Sequence, residues 1–286
     1  MKGQKMAIVL DGAEVAEALN KKVSAQVKEL RALGIVPRLA TLRVGGRGDD
    51  IAYERAVTRS AAELGAEVKN LVFPESLIQE ELIHQLKNQS DDPGVQGILL
   101  FSPLPGHLDE KAVRAALAPE KDVDGITDLS RAAVFAGASE GFAPCTACAC
   151  MEILNYYGVE LAGRHAVVIG RSLVVGKPVA MMLLQRNATV TICHSHTQNL
   201  PAVVRSADLV IACVGQANMI NGQYLSKGQT VIDVGINVCE DKTIVGDVDF
   251  KVACEKAAAI TPVPGGVGAV TNTVLLKHLV QAATKA

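Results

Sequence analysis

Apolar and polar positions follow two rhythms along the chain. Val15, Leu19, Val23, Val27 and Leu30 recur every three or four residues, the spacing of one helix face. Asp11 stands where it can cap that helix, with Glu14 at capping-box distance, and Gly34 stands where the helix would end. Shorter aliphatic runs read as strands over 39–44, 67–73, 95–100, 165–169, 189–193, 208–214 and 230–234. Helical patterns fall at 51–64, 76–88, 108–117, 200–207 and 270–283, and Gly176-Lys177-Pro178 opens another, with Pro178 at a tolerated first-turn position. Strands alternating with helices predict an α/β fold with parallel sheets. Gly137, Ser139, Gly141 and Pro144 cluster near 138–145 and mark a boundary between two domains.

Composition narrows the class. Of 286 residues 49% are hydrophobic, and 28 basic residues face 30 acidic ones. Disorder needs fewer apolar residues and more net charge, and nucleic-acid binding needs a basic stripe that is not visible. Four Tyr, five Phe and no Trp make a poor platform for stacking bases. No apolar run approaches the ~18 residues of a membrane helix. The stretch Met6 to Leu10 behind Lys2 and Lys5 is too short for a signal peptide. A cytoplasmic chain is expected, with no nucleic-acid or membrane partner and with seven cysteines as buried thiols. Cys145, Cys148 and Cys150 lack a second ligand pair at zinc spacing, and His194 and His196 make poor partners, so no metal is expected.

The clearest chemistry lies in the second half. His165 to Pro178 reads as strand, glycine turn and helix, with Gly170, Arg171, Ser172 and Gly176 in the turn. Free N–H groups and the helix dipole at such a turn favour a pyrophosphate. Ser172 stands where a second glycine is usual, and an ordinary strand-to-helix turn is the plain alternative. The next strand ends without the acidic residue that selects NAD, and Ser195, Thr197 and Arg171 suit a 2′-phosphate, hence NADP in preference to NAD. Gly215 and Gly235 each stand just past a strand, where a cofactor can approach the backbone closely.

Taken in order, the motifs resemble the methylenetetrahydrofolate dehydrogenase/cyclohydrolase family from end to end. They are Leu10 to Gly12, Pro37 to Ala40, Pro103 to Pro105, Lys121 to Gly125 and Pro144 to Thr146, then Gly163 to Ser172, Val175 to Pro178, Cys193 to Ser195, Val231 to Asn237, Gly246 to Val248 and Thr261 to Gly268. The resemblance implies a folate-facing domain over 1–140, completed by a helix at 269–286, and a Rossmann-type NADP domain over 141–268, with the folate cleft between them. It implies a homodimer that oxidises 5,10-methylenetetrahydrofolate, with or without a polyglutamate tail. Many members then hydrolyse the methenyl product to 10-formyltetrahydrofolate. By position, Asp124 holds the pterin, Tyr53 packs on the folate, and both count as catalytic. Pro264, Gly265 and Gly266 line folate and nicotinamide, and Ile236 and Thr271 join the cofactor contacts. Without the resemblance Asp124 reads as a turn residue, Tyr53 as a core ring and Pro264-Gly265 as a turn.

The chain departs from the family at the two positions that its hydrolysis step uses. Val57 stands where hydrolytic members carry the general acid/base Lys, four residues after Tyr53, and Phe101 replaces the Gln that orients it. Arg55 and Arg59 lie nearby, but a guanidinium stays protonated. A dehydrogenase without cyclohydrolase activity, served by a separate cyclohydrolase downstream, is the expectation. A fully bifunctional enzyme, another NADP oxidoreductase of hydroxy-acid or shikimate type, and a non-catalytic NADP- or folate-binding protein are the alternatives. Smaller departures are Ser130 in place of Asn and Gly268-Ala269-Val270-Thr271 in place of Gly-Pro-Met-Thr.

Overall fold

A computed structural model describes residues 6–138 and 140–285; Lys2, Lys5 and Ser139 lie outside these residues. The chain runs β1 (Ile8–Val9), α1 (Gly12–Ala32), β2 (Arg38–Val44), α2 (Gly48–Leu64), β3 (Glu67–Phe73), α3 (Gln79–Asp91), β4 (Gly97–Leu100), α4 (Glu110–Ala115) and α5 (Asp128–Ala136). It continues with α6 (Cys145–Tyr156), β5 (His165–Ile169), α7 (Gly176–Gln185), β6 (Thr189–Cys193), α8 (Leu200–Arg205), β7 (Leu209–Ala212) and β8 (Thr230–Asp233). The last elements are β9 (Asn237–Val238), β10 (Ile244–Val245), α9 (Phe250–Lys256), β11 (Ala259–Ile260) and α10 (Val267–Lys285). The strands at 67–73, 165–169 and 189–193 coincide with the expected ranges.

The chain divides into two compact units. One holds the described residues up to Glu17 together with Thr146–Thr271, and the other holds Ala18–Cys145 with Asn272–Ala286. The expected ranges placed the whole N-terminus with the folate-facing domain. The difference at the N-terminus has a backbone cause. Ile8 and Val9 pair in parallel with Ala259 and Ile260 of β11, so the apolar stretch Met6 to Leu10 forms an edge strand of the other unit's sheet.

The unit built from 18–145 and 272–286 contains a parallel sheet in the order β3-β2-β4. Its central strand β2 is buried on both faces. Leu39, Ala40 and Leu42 are fully covered, and Leu82 and Leu86 of α3 join the same core. Gly97 opens β4 where a Cβ would lie 2.8 Å from Val123 and 2.9 Å from Leu279, so only glycine lets the strand sit this close.

The other unit carries a parallel sheet in the order β1-β11-β8-β7-β5-β6, plus the antiparallel pair β9–β10. Its inner strands read as continuous apolar runs because both faces are covered, Ala166 to Ile169 and Val210 to Ala212 among them. Going along the chain, β6 lies on one side of β5, while β7 and then β8 lie on the other. The strand order therefore reverses at β5, and a crevice opens at such a point.

Several elements escaped the periodicity. Helix α6 is apolar around most of its circumference, so no stripe stands out. Helix α9 is one short stretch capped by Asp249, which accepts from Val252 N at 3.2 Å. Expected helices at 76–88 and 108–117 form later or shorter, at Gln79–Asp91 and Glu110–Ala115. Asp109 accounts for the second start, because its side chain accepts from Lys111 N and Ala112 N.

The buried face of α2 carries an ion pair. Arg43 Nε and Nη2 donate to Glu54 Oε2 at 3.2 and 3.1 Å, Arg43 also donates to the Gly45 carbonyl, and Thr41 Oγ1, which donates to Asn70 Oδ1 at 2.8 Å, lies 3.3 Å from Glu54 Oε1. Both charged residues are less than a tenth exposed. Glu54→Leu alone strands a buried guanidinium and is expected to cost about 3–5 kcal/mol, whereas Arg43→Leu/Glu54→Leu recovers most of the loss. Urea denaturation of the two variants checks this.

Candidate functional site

The expected dinucleotide residues gather at the carboxyl ends of parallel strands. Gly170 follows β5, Ser195 and Thr197 follow β6, Gly215 follows β7, Gly235 and Ile236 follow β8, and Pro264 to Gly266 follow β11. Gly170 has φ +130°, and a Cβ there would collide with the Cys213 carbonyl. A Cβ on Gly176 would collide with the Gly170 carbonyl. The two glycines thus let the loop fold tightly between the end of β7 and the start of α7.

Ser172 takes the usual second-glycine position for a structural reason. Its Oγ accepts from Val175 N at 3.1 Å and Gly176 N at 3.3 Å, closing the turn from inside. Arg171 and Ser195 are exposed. Thr197 is bound into its own turn, its Oγ1 accepting from His194 N at 2.9 Å. Thr271 lies on α10 and donates to the Val267 carbonyl at 3.2 Å. Gly235, Ile236, Pro264, Gly265 and Gly266 line one cavity of about 290 Å³.

Two buried aspartates hold these loops, and neither stood out in the sequence. Asp247 is fully buried. Its Oδ2 accepts from Val214 N at 2.6 Å and Gly215 N at 3.0 Å; its Oδ1 accepts from Gln216 N at 2.9 Å and Asn237 Nδ2 at 3.0 Å. Asp233 accepts from Gly235 N, Asp247 N and Val248 N at 2.9–3.0 Å. Burial pushes its carboxyl up to about 6 against the pull of these donors. Gly235 and Gly246 are glycines because a Cβ would strike Asp247 and Asp233 respectively. The motif Gly246 to Val248 carried the signal, but its role appears only when β8 and its neighbours are placed.

In the other unit, α2 presents Asp50, Glu54, Val57 and Ala61 on its buried face, with Tyr53 half-buried beside them. Val57 is fully covered, and Phe101 is 6% exposed. The Tyr53 and Phe101 rings meet edge to face, with centroids 6.0 Å apart at 80°. Arg55 and Arg59 are on the exposed face. Burial, with the nearby Asp124 charge, holds the Tyr53 hydroxyl well above the usual phenol range.

Asp124 sits in a tightly bound loop. The preceding Asp122 is fully buried and accepts from Ile126 N, Thr127 N and Ser130 Oγ at 3.0, 2.8 and 2.7 Å. Ser130, one of the departures, therefore anchors this loop. Burial raises the Asp124 carboxyl to about 7, a hydrogen bond from Cys145 pulls it down, and the Asp122 charge adds to the rise.

The seven cysteines form no disulfide, and Cys145, Cys150, Cys193 and Cys254 are buried. Among the described residues no three His, Cys, Asp or Glu side chains converge on a metal position, and no helix is long and apolar enough to cross a membrane.

The Asp247 arrangement is testable directly. Asp247→Asn turns one oxygen into an N–H donor, and either amide orientation sets that donor against two others. A loss of at least about 2 kcal/mol is expected. Urea midpoints, with faster amide exchange at Val214 to Gln216, check it.

The geometry has close counterparts among known proteins. A family model for the catalytic domain of tetrahydrofolate dehydrogenase/cyclohydrolase matches residues 10–124. The model for that family's NAD(P)-binding domain matches 144–286. The bifunctional protein FolD of Clostridioides difficile is 46% identical over 274 residues, 96% of each chain. The crystal structure of the bifunctional FolD methylenetetrahydrofolate dehydrogenase/cyclohydrolase from Campylobacter jejuni superposes with a TM-score of 0.96 at 35% identity, covering 98% of this chain and 99% of that one. The Trypanosoma brucei enzyme, solved with NADP cofactor and inhibitor, gives 0.93 at 36% identity over 98% of each. Both halves of the chain are thus matched in order by one family's models, and the protein belongs to the tetrahydrofolate dehydrogenase/cyclohydrolase family.

Proposed function

We propose that this protein oxidises 5,10-methylenetetrahydrofolate to the 5,10-methenyl form with NADP and lacks the hydrolytic step that its bifunctional relatives carry out. The observation that carries this reading is the apolar pair Val57 and Phe101 beside Tyr53, at the two positions where hydrolytic members need a Lys and a Gln. Hydrolysis needs water activated and a proton moved, a task for which a placed side chain typically supplies about 10²–10⁴-fold. A fully covered Val57 moves no proton. Glu54 of α2 and Arg43 of β2 are committed to each other, and the Tyr53 hydroxyl resists ionisation.

Oxidation asks less of these side chains. When bound, NADP supplies the acceptor for the hydride leaving the methylene carbon, while the substrate's own N5 lone pair takes up the charge. The protein's part is alignment. The loop at Gly170 and Gly176 suits a pyrophosphate: the two glycines let it fold tightly at the start of α7, where free N–H groups favour an anion. Arg171 and Ser195, both exposed, offer a cation and a hydroxyl for the 2′-phosphate. Asp124 accepts from the two N–H donors of the pterin edge, and Tyr53 gives the folate a ring to pack on. The protein acts as a homodimer in the cytoplasm on this reading, and a separate cyclohydrolase consumes its product.

Two measurements test the proposal. Purified protein is expected to reduce NADP with methylenetetrahydrofolate, more slowly with NAD, while methenyltetrahydrofolate decays at the buffer rate. Decay well above that rate establishes a bifunctional enzyme instead. Val57→Lys/Phe101→Gln is expected to raise hydrolysis about tenfold or more. The pH dependence follows from Asp124. Its carboxyl titrates near 7 in the free protein and must be ionised to accept both N–H bonds, so the folate KM falls as pH rises from about 6 to 8. Asp124→Ala raises KM and removes that dependence.

A further inference from the structure

The peptide that carries Asp124 is held from behind by two side chains distant in sequence. The Val123 carbonyl accepts from His278 Nδ1 at 2.9 Å and from the Cys145 thiol at 3.3 Å. Cys145 Sγ and His278 Nδ1 lie 3.7 Å apart. Both residues are buried, and the His278 ring packs on Phe142 with centroids 5.0 Å apart at 35°. On the other side of Asp124, a Cβ on Gly125 would lie 2.6 Å from the Phe142 oxygen and the Ala143 carbon. The backbone after Asp124 therefore lies directly against the backbone that leads into Cys145. The same thiol also acts on the Asp124 carboxyl, opposing its rise toward neutrality as a donor.

These contacts dictate where the hydrogens go. A carbonyl oxygen only accepts, so the His278 ring carries a proton on Nδ1. A thiol has one hydrogen, and here it has two acceptors, the Val123 carbonyl and the Asp124 carboxylate. Donation to an ionised acceptor is the stronger of the two. When Asp124 is charged the thiol hydrogen goes to its carboxylate. When Asp124 is protonated the hydrogen returns to the Val123 carbonyl. The His278 bond is made in both states.

We infer that Cys145 and His278 are positioning residues for Asp124: His278 pins the peptide on which the carboxylate stands, and the Cys145 thiol follows its charge and donates to the ionised form that a two-donor ligand edge requires. The inference rests on the proposed role of Asp124 in holding the pterin. The other titratable groups facing Asp124 are Asp122, whose charge opposes its ionisation, and Tyr53, whose hydroxyl stays protonated.

The test is the pH dependence of kcat and of the folate KM in full-length Cys145→Ala, Cys145→Ser, His278→Leu, His278→Asn and Asp124→Ala. Cys145→Ala is expected to raise KM about fivefold near pH 7, the effect of one modest hydrogen bond to a charge. Its KM-against-pH midpoint moves upward, its KM converges with wild type above pH 9, and kcat stays within about twofold. Cys145→Ser, which keeps a donor, stays close to wild type. His278→Leu raises KM at every pH, and His278→Asn, whose amide N–H can replace the lost donor, restores it. A Cys145→Ala profile superimposed on wild type overturns the inference, as does a His278→Asn variant as impaired as His278→Leu. Should His278→Leu fail to fold, the two Cys145 variants decide the matter alone. An unchanged KM in Asp124→Ala instead removes the proposed pterin contact itself, a separate failure.

Discussion

A carboxylate taken out of water costs several kcal/mol unless donors meet it, and in this protein the donors are mostly backbone N–H groups of functional loops. Asp247 gathers the N–H groups of Val214, Gly215 and Gln216. Asp233 gathers those of Gly235, Asp247 and Val248. Asp122 does the same for Ile126 and Thr127. Each exchange works in both directions. The loop loses its freedom to the aspartate, and the aspartate could not be buried without the loop. Loops at the ends of strands are thereby held to one conformation without relying on large side chains, which suits a chain with so few aromatic rings.

The few rings present have functional consequences. Tyr53 and Phe101 touch each other at the edge of a buried helix face that also includes Val57. By the family resemblance, hydrolytic members carry a titratable group and its amide partner where this chain has Val57 and Phe101. Such a surface can align a substrate but cannot move its protons. On the proposed reading, those two side chains separate hydride transfer from hydrolysis. The Arg43–Glu54 pair anchors α2 to β2 and holds the helix in its seat.

Much of this was legible along the chain. The alternation of strands and helices, the glycine turn at Gly170, and the replacement of Lys and Gln by Val57 and Phe101 all depend on residues close in sequence or on fixed spacing. Thr197 shows what local reading leaves out: its hydroxyl oxygen closes a turn by accepting from His194 N. The two-residue strands β1 and β11 were invisible for a related reason. Two residues contain no period, and only their partners across the sheet make them strands.

The sequence by itself determined the α/β class, the glycine turn after β5 and the departures at Val57 and Phe101, because each is written in local spacing and residue chemistry. The tertiary structure decided which distant groups meet. Cys145 and His278 are 133 residues apart and share one carbonyl. Asp233 and Asp247 each hold loops from separate strands. The N-terminal strand joins the nucleotide-type sheet because its hydrogen-bonding edge matches β11, although the resemblance had placed it elsewhere. Hydrogen-bond partners, burial and the resulting shift of Asp124 toward neutrality are properties of proximity in space, and a linear pattern carries no record of them.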